Sequence, residues 1–461
     1  MSSFRMTLGQ AADLVGGILV GPDMELPRRV ALDSREVLSG DLFVALRGNR
    51  TDGHAFVGQA LSRGARCLLV EISKLEEIRP GLGGASCLAV PDPELALAEM
   101  ASHWLKLVSP VVVGITGSVG KTTTREVILS LLGRRFKVHG SPKSYNTLIG
   151  LSATVMGMDR GCDNLVLEYG TSSFGEISKL VSYFPPDEMV ITEVAPAHLE
   201  RLRDVQGVLR AKLEILESQR GRFLSYNADN DLLWGAVTGG GLTVQRMGVG
   251  VRRGDVRISD RRIVWGDDGP RLNFNLHHGD RQLEVSSGLW PLHGAYPLAL
   301  SWVMALRFGV EDLFPEVAYG FKPVKGRGRA IRSREGGWLM DESYNANPTS
   351  MFGAIDSTLE LARGGSMRPQ AVLGGMLEMG EDSSLWHRRI VDRLNGFQRV
   401  ILVGDRWPSD RLPDWVVPVG SFEDALEVPM DLGEGTLTLV KGSRGYKLDL
   451  YVEAKGVMDG D

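Results

Sequence analysis

Short apolar runs separated by glycine-rich turns set the pattern of this chain. Leu42 to Leu46 and Cys67 to Val70 are the first such runs, and Pro80-Gly81-Leu82-Gly83-Gly84 reads as a linker after them. Val111 to Thr116 is an unbroken apolar stretch that predicts a buried strand. From Thr122 to Leu132 the period changes. Val127, Ile128, Leu131 and Leu132 fall on one helical face, and Gly133 supplies the stop. Further strands are expected at Leu165 to Leu167 and Met189 to Thr192, each followed by a helical pattern. That alternation predicts a mostly parallel sheet with helices on both faces. Residues 240 to 285 are glycine-rich with short alternating runs such as Arg262 to Trp265, which fits a small antiparallel insertion. A second α/β unit begins near Val310. Its strands are expected at Gln370 to Leu373, Val400 to Val403 and Thr436 to Val440, with a helix between Ser384 and Leu394.

The length, 461 residues, allows roughly three domains. Divisions at 1–85, 86–311 and 312–461 follow the changes in texture. The net charge is −5 and no Lys/Arg run stands out, which argues against a nucleic-acid partner. Cys67, Cys87 and Cys162 are far apart, with no metal-ligand spacing. They read as free or buried thiols of a reducing compartment. Asp13 interrupts the first apolar stretch and Arg5 alone is a poor basic leader, so no signal peptide is expected. No run reaches the ~18 apolar residues of a membrane span. A cytoplasmic protein without integral membrane contact is expected.

Gly114-Ile-Thr-Gly117-Ser118-Val119-Gly120-Lys121-Thr122 lies between the predicted strand and helix. Glycines there let backbone N–H groups converge on phosphate oxygens, and the helix N-terminus adds positive charge. Lys121 would reach the outer phosphates and the Thr122 hydroxyl a magnesium ion. Ile115 stands where the common pattern has glycine. The loop alone leaves kinase, GTPase, ATPase and ligase open.

Glu168 ends the Leu165–Leu167 run, at the carboxyl end of a parallel strand, where ligands collect. It suits magnesium, which prefers oxygen ligands. Position alone equally allows a surface carboxylate. His198 follows the next strand and would adjoin Glu168 if the strands are neighbours; a structural histidine is the alternative. Lys212 shares a helical face with Val208, Leu209, Ile215 and Leu216. It either snorkels or is desolvated with a lowered pKa. A neutral amine of that kind could accept carbon dioxide and become a carbamate.

These segments together resemble the Mur ligases, the ATP-dependent amide-forming enzymes of peptidoglycan synthesis. Asp33-Ser34-Arg35, Gly40 to Leu46 and Asp52-Gly53-His54-Ala55-Phe56 resemble the family's uridine-nucleotide domain. Thr116 to Thr124 is similar to its phosphate loop. Ala197-His198-Leu199-Glu200 and Ala211 to Ile215 are similar to its central motifs. Asp341-Glu342-Ser343-Tyr344-Asn345-Ala346-Asn347-Pro348-Thr349-Ser350-Met351 resembles the signature of the dipeptide-adding branch. Gly374 to Gly380 with His387, and Lys441-Gly442-Ser443-Arg444, resemble its later motifs. The Asp-Asn-Pro-Arg sequence usual in the diamino-acid-adding branch is absent.

The resemblance implies a three-domain α/β fold. A central parallel-sheet P-loop ATPase domain would lie between an N-terminal α/β UDP-binding domain and a C-terminal Rossmann-like α/β domain. It implies that ATP and Mg2+ drive ligation of UDP-N-acetylmuramoyl-tripeptide to D-alanyl-D-alanine through an acyl phosphate, by a monomer. Gly117 to Thr123, Arg327 and Glu342 are then expected to bind ATP. Thr122, Glu168, His198 and carbamylated Lys212 are expected to hold metal. Lys121, Glu168, His198, Lys212 and Arg327 would be catalytic. Ser34, Arg35, Asp52, Gly53, His54, Asn146, Asn345 and Asn347 would bind the substrates, while Tyr344 and Pro348 read as scaffold. The chain departs from the family at Val119, at Glu193 in place of asparagine, at Glu342 in place of a second aspartate and at Gly375 in place of an aspartate. The stretch Leu292 to Leu298 lacks the asparagine that contacts the nucleotide. Two other readings stay open: a ligase adding a single amino acid, and a nucleotide-sugar-binding protein with impaired turnover.

Overall fold

The computed structural model describes residues 6–48, 51–141, 145–410 and 412–457; Arg5 lies outside them. Three sheets are strung along the chain. The first runs in the order Ile18–Val20, Ser86–Val90, Cys67–Glu71, Leu42–Val44, Val30–Ala31, with only the first pairing antiparallel. The strand Ser86–Val90 therefore belongs to the N-terminal unit, and the boundary expected at residue 85 falls inside that unit. Pro80 lies within a short 3-10 turn, Arg79–Gly81, so the expected linker is a turn between two elements of one sheet unit.

The central sheet has nine strands. Its parallel part places Val111–Thr116 between Asn164–Glu168 and Glu188–Ile191. Alternation along these strands explains why both faces are covered. Val112, Leu165, Leu167, Met189 and Ile191 enter one core. Val113, Ile115, Val166 and Val190 enter the other. Successive side chains of a strand point to opposite faces, so a continuous apolar run requires a helix layer on each side. Lys121–Leu132 and Ala295–Phe308 supply one layer, and Pro93–Val108 and Leu148–Gly157 pack together on the other.

The region expected as a small antiparallel insertion is antiparallel and extends this sheet. Val256–Gly266, Gly269–His278 and Arg281–Ser287 form an antiparallel meander. Gln245–Gly250 joins it in parallel to the rest. Phe314, Val317 and Ala318, in the helix Phe314–Gly320, are buried in the central core. The central unit thus extends past 311. The third sheet starts at Arg329–Arg332 and runs through Trp338–Glu342, Thr436–Lys441, Arg368–Gly374, Arg399–Val403 and Val416–Val419. The helix Pro348–Gly364 begins inside the signature segment. Asn347 caps it, accepting the Ser350 N–H at 2.9 Å, and Pro348 occupies the first turn. Cys67, Cys87 and Cys162 are buried free thiols. Among the described residues no helix is long and apolar enough to cross a membrane.

Candidate active site

Gly117 and Gly120 turn the chain from strand to helix with φ of 141° and 88°, conformations that favour glycine. A Cβ on Gly117 would lie 2.1 Å from the Thr192 hydroxyl. That hydroxyl donates to the Val119 carbonyl at 2.5 Å, so the loop is shaped by main-chain bonding. The Val119 side chain has no part in this, and nothing in the structure explains the substitution. Gly114 and Ile115 lie in the strand, not in the loop. Gly114 gives room to Pro186 and Tyr169, and Ile115 is fully buried. The phosphate loop is therefore shorter than Gly114–Thr122. Ile115 occupies a core position, where its size is an asset.

Glu168 is 1% exposed, which rules out the surface reading. It accepts the Thr122 hydroxyl at 2.9 Å, and Arg125 lies 3.4 Å from the same carboxylate oxygen. Arg125 is buried and was missed from sequence. Its spacing, three residues after Thr122 on one helix, was the available signal. Lys121 donates to the Gly117 carbonyl at 2.7 Å. Burial lowers its pKa most, Glu168 pulls it back up, and Arg327 lowers it further.

Lys212 is 2% exposed on the helix Val205–Leu213, so it does not snorkel. Burial holds its pKa well below the ordinary lysine value, and the nearby Lys121 charge adds to this. Glu214, Glu176 and Glu168 oppose it. His198 has a left-handed backbone (φ 53°) and meets Glu378 (φ 61°) across the central and C-terminal units. Nδ1 lies 2.5 Å from the carboxylate. Burial pushes the imidazole pKa down and Glu378 opposes it.

The C-terminal unit closes the site. Gly326 and Gly328, at φ 77° and 84°, flank Arg327. Its guanidinium lies 3.8 Å over the Tyr344 ring, which makes Tyr344 a platform for the arginine. Asp341 accepts the Gly326 N–H at 2.7 Å and the Ser343 hydroxyl at 2.6 Å, tying the arginine loop to the signature segment. Glu342 accepts the buried Lys441 ammonium at 3.0 Å, and Lys441 also donates to the Asn345 carbonyl at 3.1 Å. Lys441 too was missed as a site residue. His387 braces this unit: Nε2 accepts the Met376 N–H and Nδ1 donates to the Ser383 carbonyl. Gly375 leaves space for Tyr446, whose hydroxyl would lie 2.8 Å from an added Cβ.

Three adjoining cavities share Lys121 and His198. One, of about 240 Å3, brings Ser118, Glu168, Arg327, Glu342 and Asn146 together. The second, about 260 Å3, adds Lys212, Glu378 and Arg444, and both include Asn345 and Asn347. The third is lined by Asn146, Thr171, Glu176 and Lys179. A further cavity of about 580 Å3 opens on the other side of Val119 and Gly120, walled by Tyr296 and Pro297 of the stretch that lacks asparagine. Amides are present there nonetheless. Asn227 and Asn230 both donate to the half-buried Glu193 carboxylate, the residue that replaces an asparagine.

The N-terminal residues are not part of these cavities. Ser34 is buried and donates to Gln59 at 2.6 Å, and Arg35 pairs with its neighbour Asp33. His54 Nε2 accepts the Glu71 N–H at 3.0 Å, which leaves Nδ1 to donate to Asp52 at 2.6 Å. Gly53 packs against the Leu46 main chain and donates its N–H to the Leu46 carbonyl. Expected to face a nucleotide, the His54 ring instead has both nitrogens engaged within the protein.

Residues 28–104 match the model of the Mur ligase family catalytic domain, and residues 115–286 that of the Mur ligase middle domain. The UDP-N-acetylmuramoyl-tripeptide--D-alanyl-D-alanine ligase of Escherichia coli K12 is 31% identical, covering 97% of this chain and 98% of its own. Its counterpart in Bacillus subtilis 168 is 29% identical over the same shares. The crystal structure of MurF ligase from Thermotoga maritima in complex with ADP superposes with a TM-score of 0.77 at 27% identity, covering 92% of this chain and 96% of that one. MurF from Acinetobacter baumannii shares the fold at a TM-score of 0.82, with 23% identity over 98% and 99% of the two chains. This chain belongs to the Mur ligase family.

Proposed function

We propose that this protein is an ATP-dependent ligase joining UDP-N-acetylmuramoyl-tripeptide to D-alanyl-D-alanine in cytoplasmic peptidoglycan precursor synthesis. The convergence of Lys121, Glu168, His198, Lys212, Arg327 and Asn345 on connected cavities between two units carries the reading. The near full-length likeness to ligases of that activity supports it. Lys121 and the loop N–H groups hold the ATP phosphates, and Arg327 neutralises them from the other unit. The tripeptide carboxylate attacks the γ-phosphate, releasing ADP and leaving an acyl phosphate. The dipeptide amine then adds to the acyl carbon, loses a proton, and inorganic phosphate departs as the amide forms. Positioning and charge neutralisation dominate such chemistry.

Magnesium fits the donors present. The Thr122 hydroxyl and Glu168 carboxylate are buried oxygen ligands held together, as a hard cation requires. Among the described residues no group of three His, Cys, Asp or Glu side chains gathers as a self-sufficient metal site, so phosphate oxygens would complete the shell. Magnesium would supply charge neutralisation at the phosphates. His198 and Lys212, the latter as a carbamate, would hold a second ion. The desolvated neutral amine of Lys212 is the form that adds carbon dioxide, with loss of a proton.

A phosphate-release assay tests the reading. Release is expected only when ATP, the muramoyl-tripeptide nucleotide and D-alanyl-D-alanine are present together. An unchanged rate without the dipeptide would sink it.

A further inference from the structure

The helix Lys121–Leu132 turns two buried side chains toward Glu168. Thr122 donates its hydroxyl to Oε2 at 2.9 Å, and Arg125 Nη1 lies 3.4 Å from the same atom. Both donors therefore fall on one oxygen of the carboxylate. Oε1 accepts no hydrogen bond among the described residues. Lys121, the nearest loop cation, donates to the Gly117 carbonyl instead. Glu168 lines the cavity shared by Ser118, Lys121 and Arg327, so Oε1 is the oxygen left for a ligand there.

Arg125 is itself pinned from behind. Its Nε donates to Glu126 at 3.2 Å, and its Nη2 bonds to the same Glu126 oxygen. The guanidinium is a rigid fork, so fixing two of its nitrogens fixes the third. Glu168 cannot swing about its last bond without leaving the Thr122 hydroxyl and the Arg125 cation together. One positive charge between two carboxylates also leaves the group net negative, as a divalent cation requires.

From this arrangement we infer that Arg125 is a positioning residue that confines Glu168 to one-oxygen ligation and so selects magnesium over calcium. The inference rests on the ligase reading above, through the magnesium ion placed there. The two cations differ in what they ask of a carboxylate. Magnesium holds a strict octahedron and takes single oxygens. Calcium is larger, takes more ligands, and readily accepts both oxygens of one carboxylate. A carboxylate with one oxygen already bonded to the protein suits the first ion and handicaps the second. Groups that orient a ligand in this way govern metal affinity although they never touch the ion.

The test uses the full-length protein with ADP bound. Mn2+ binding is followed by electron paramagnetic resonance, and Mg2+ and Ca2+ are titrated as competitors. Wild type should favour Mg2+. Arg125→Met should lose roughly tenfold in Mg2+ affinity while Ca2+ affinity holds or rises, because the released carboxylate can offer both oxygens. Arg125→Lys should shift the ratio in the same direction by less; it keeps the buried charge, and it decides the matter if thermal melting shows Arg125→Met unfolded. A ratio unchanged from wild type overturns the inference. So does a uniform loss for both ions, which would make Arg125 a structural brace, or a uniform gain, which would make it a counter-charge only. A wild type whose ADP complex binds no Mn2+ overturns the magnesium and ligase reading itself.

Discussion

Around the phosphate loop, polar side chains converge on adjoining cavities; in the Asp52–His54 turn they bond back to the protein. Lys121, His198 and Asn345 come from distant segments and line two adjoining cavities, one completed by Lys212 and the other by Arg327. Asp52, Gly53 and His54 are adjacent in sequence, and their bonds brace the Leu46 and Glu71 main chains. The difference separates two kinds of polar residue. One whose partners are all internal contributes to stability. One that faces a cavity is available for chemistry, and here it carries a pKa displaced by burial, as with Lys121 and Lys212.

Mutations can break this comparison, starting with the largest effect. Arg125→Ala strips a cation from buried Glu168 and should cost about 3–5 kcal/mol in urea denaturation. A variant as stable as the parent would show that Glu168 is held by other means. Lys121→Ala should lower phosphate release by roughly a hundred- to a thousandfold. Its denaturation midpoint should stay near that of the parent, since its protein partner is a single loop carbonyl. His54→Ala should behave in the opposite way. It leaves the Glu71 N–H unpaired, costs about 1–3 kcal/mol, and leaves KM for ATP unchanged.

Lys212→Met should abolish most turnover yet raise stability by about 0.5–2 kcal/mol at neutral pH. The sign follows from the lowered pKa. Between the folded value and the ordinary 10.5 the unfolded chain binds the extra proton, so wild-type stability rises with pH across that window. The methionine variant lacks this titration, and its advantage should shrink as pH approaches 10.5. Equal pH slopes for the two proteins would place a charged lysine in the fold. Arg35→Ala is the smallest case. The side chain is exposed, so the melting temperature should not move. A higher KM for the uridine nucleotide alone would support its proposed contact, and an unchanged KM would remove it.

How much of the site was legible depended on whether a residue's partner was local. Lys121, Thr122 and Glu168 could be read because a strand, a glycine turn and a helix place them in fixed order. Arg125 was overlooked because arginine on a helix is usually solvated; in the structure it is buried between Glu168 and Glu126. Glu342 and Gly375 looked like losses in a one-dimensional reading. In three dimensions Glu342 is matched by Lys441 and Gly375 by Tyr446. The unit boundaries at 85 and 311 misplaced a strand and a helix, because apolar periodicity does not say which core a segment joins.

What the sequence determined by itself was the local grammar. Apolar runs in strand and helix periods, and glycines at Gly117 and Gly120, specify a phosphate loop through backbone conformation alone. The segment from Asp341 to Met351 set the family branch. Only the tertiary structure decided which of these groups share a cavity. Arg327 and Lys121, and Glu378 and His198, are brought together by the packing of one sheet unit against another, and Arg444 and Asn345 by the strand order within one sheet. Such contacts depend on long-range apolar burial, which carries no signature in the spacing of the residues it brings together.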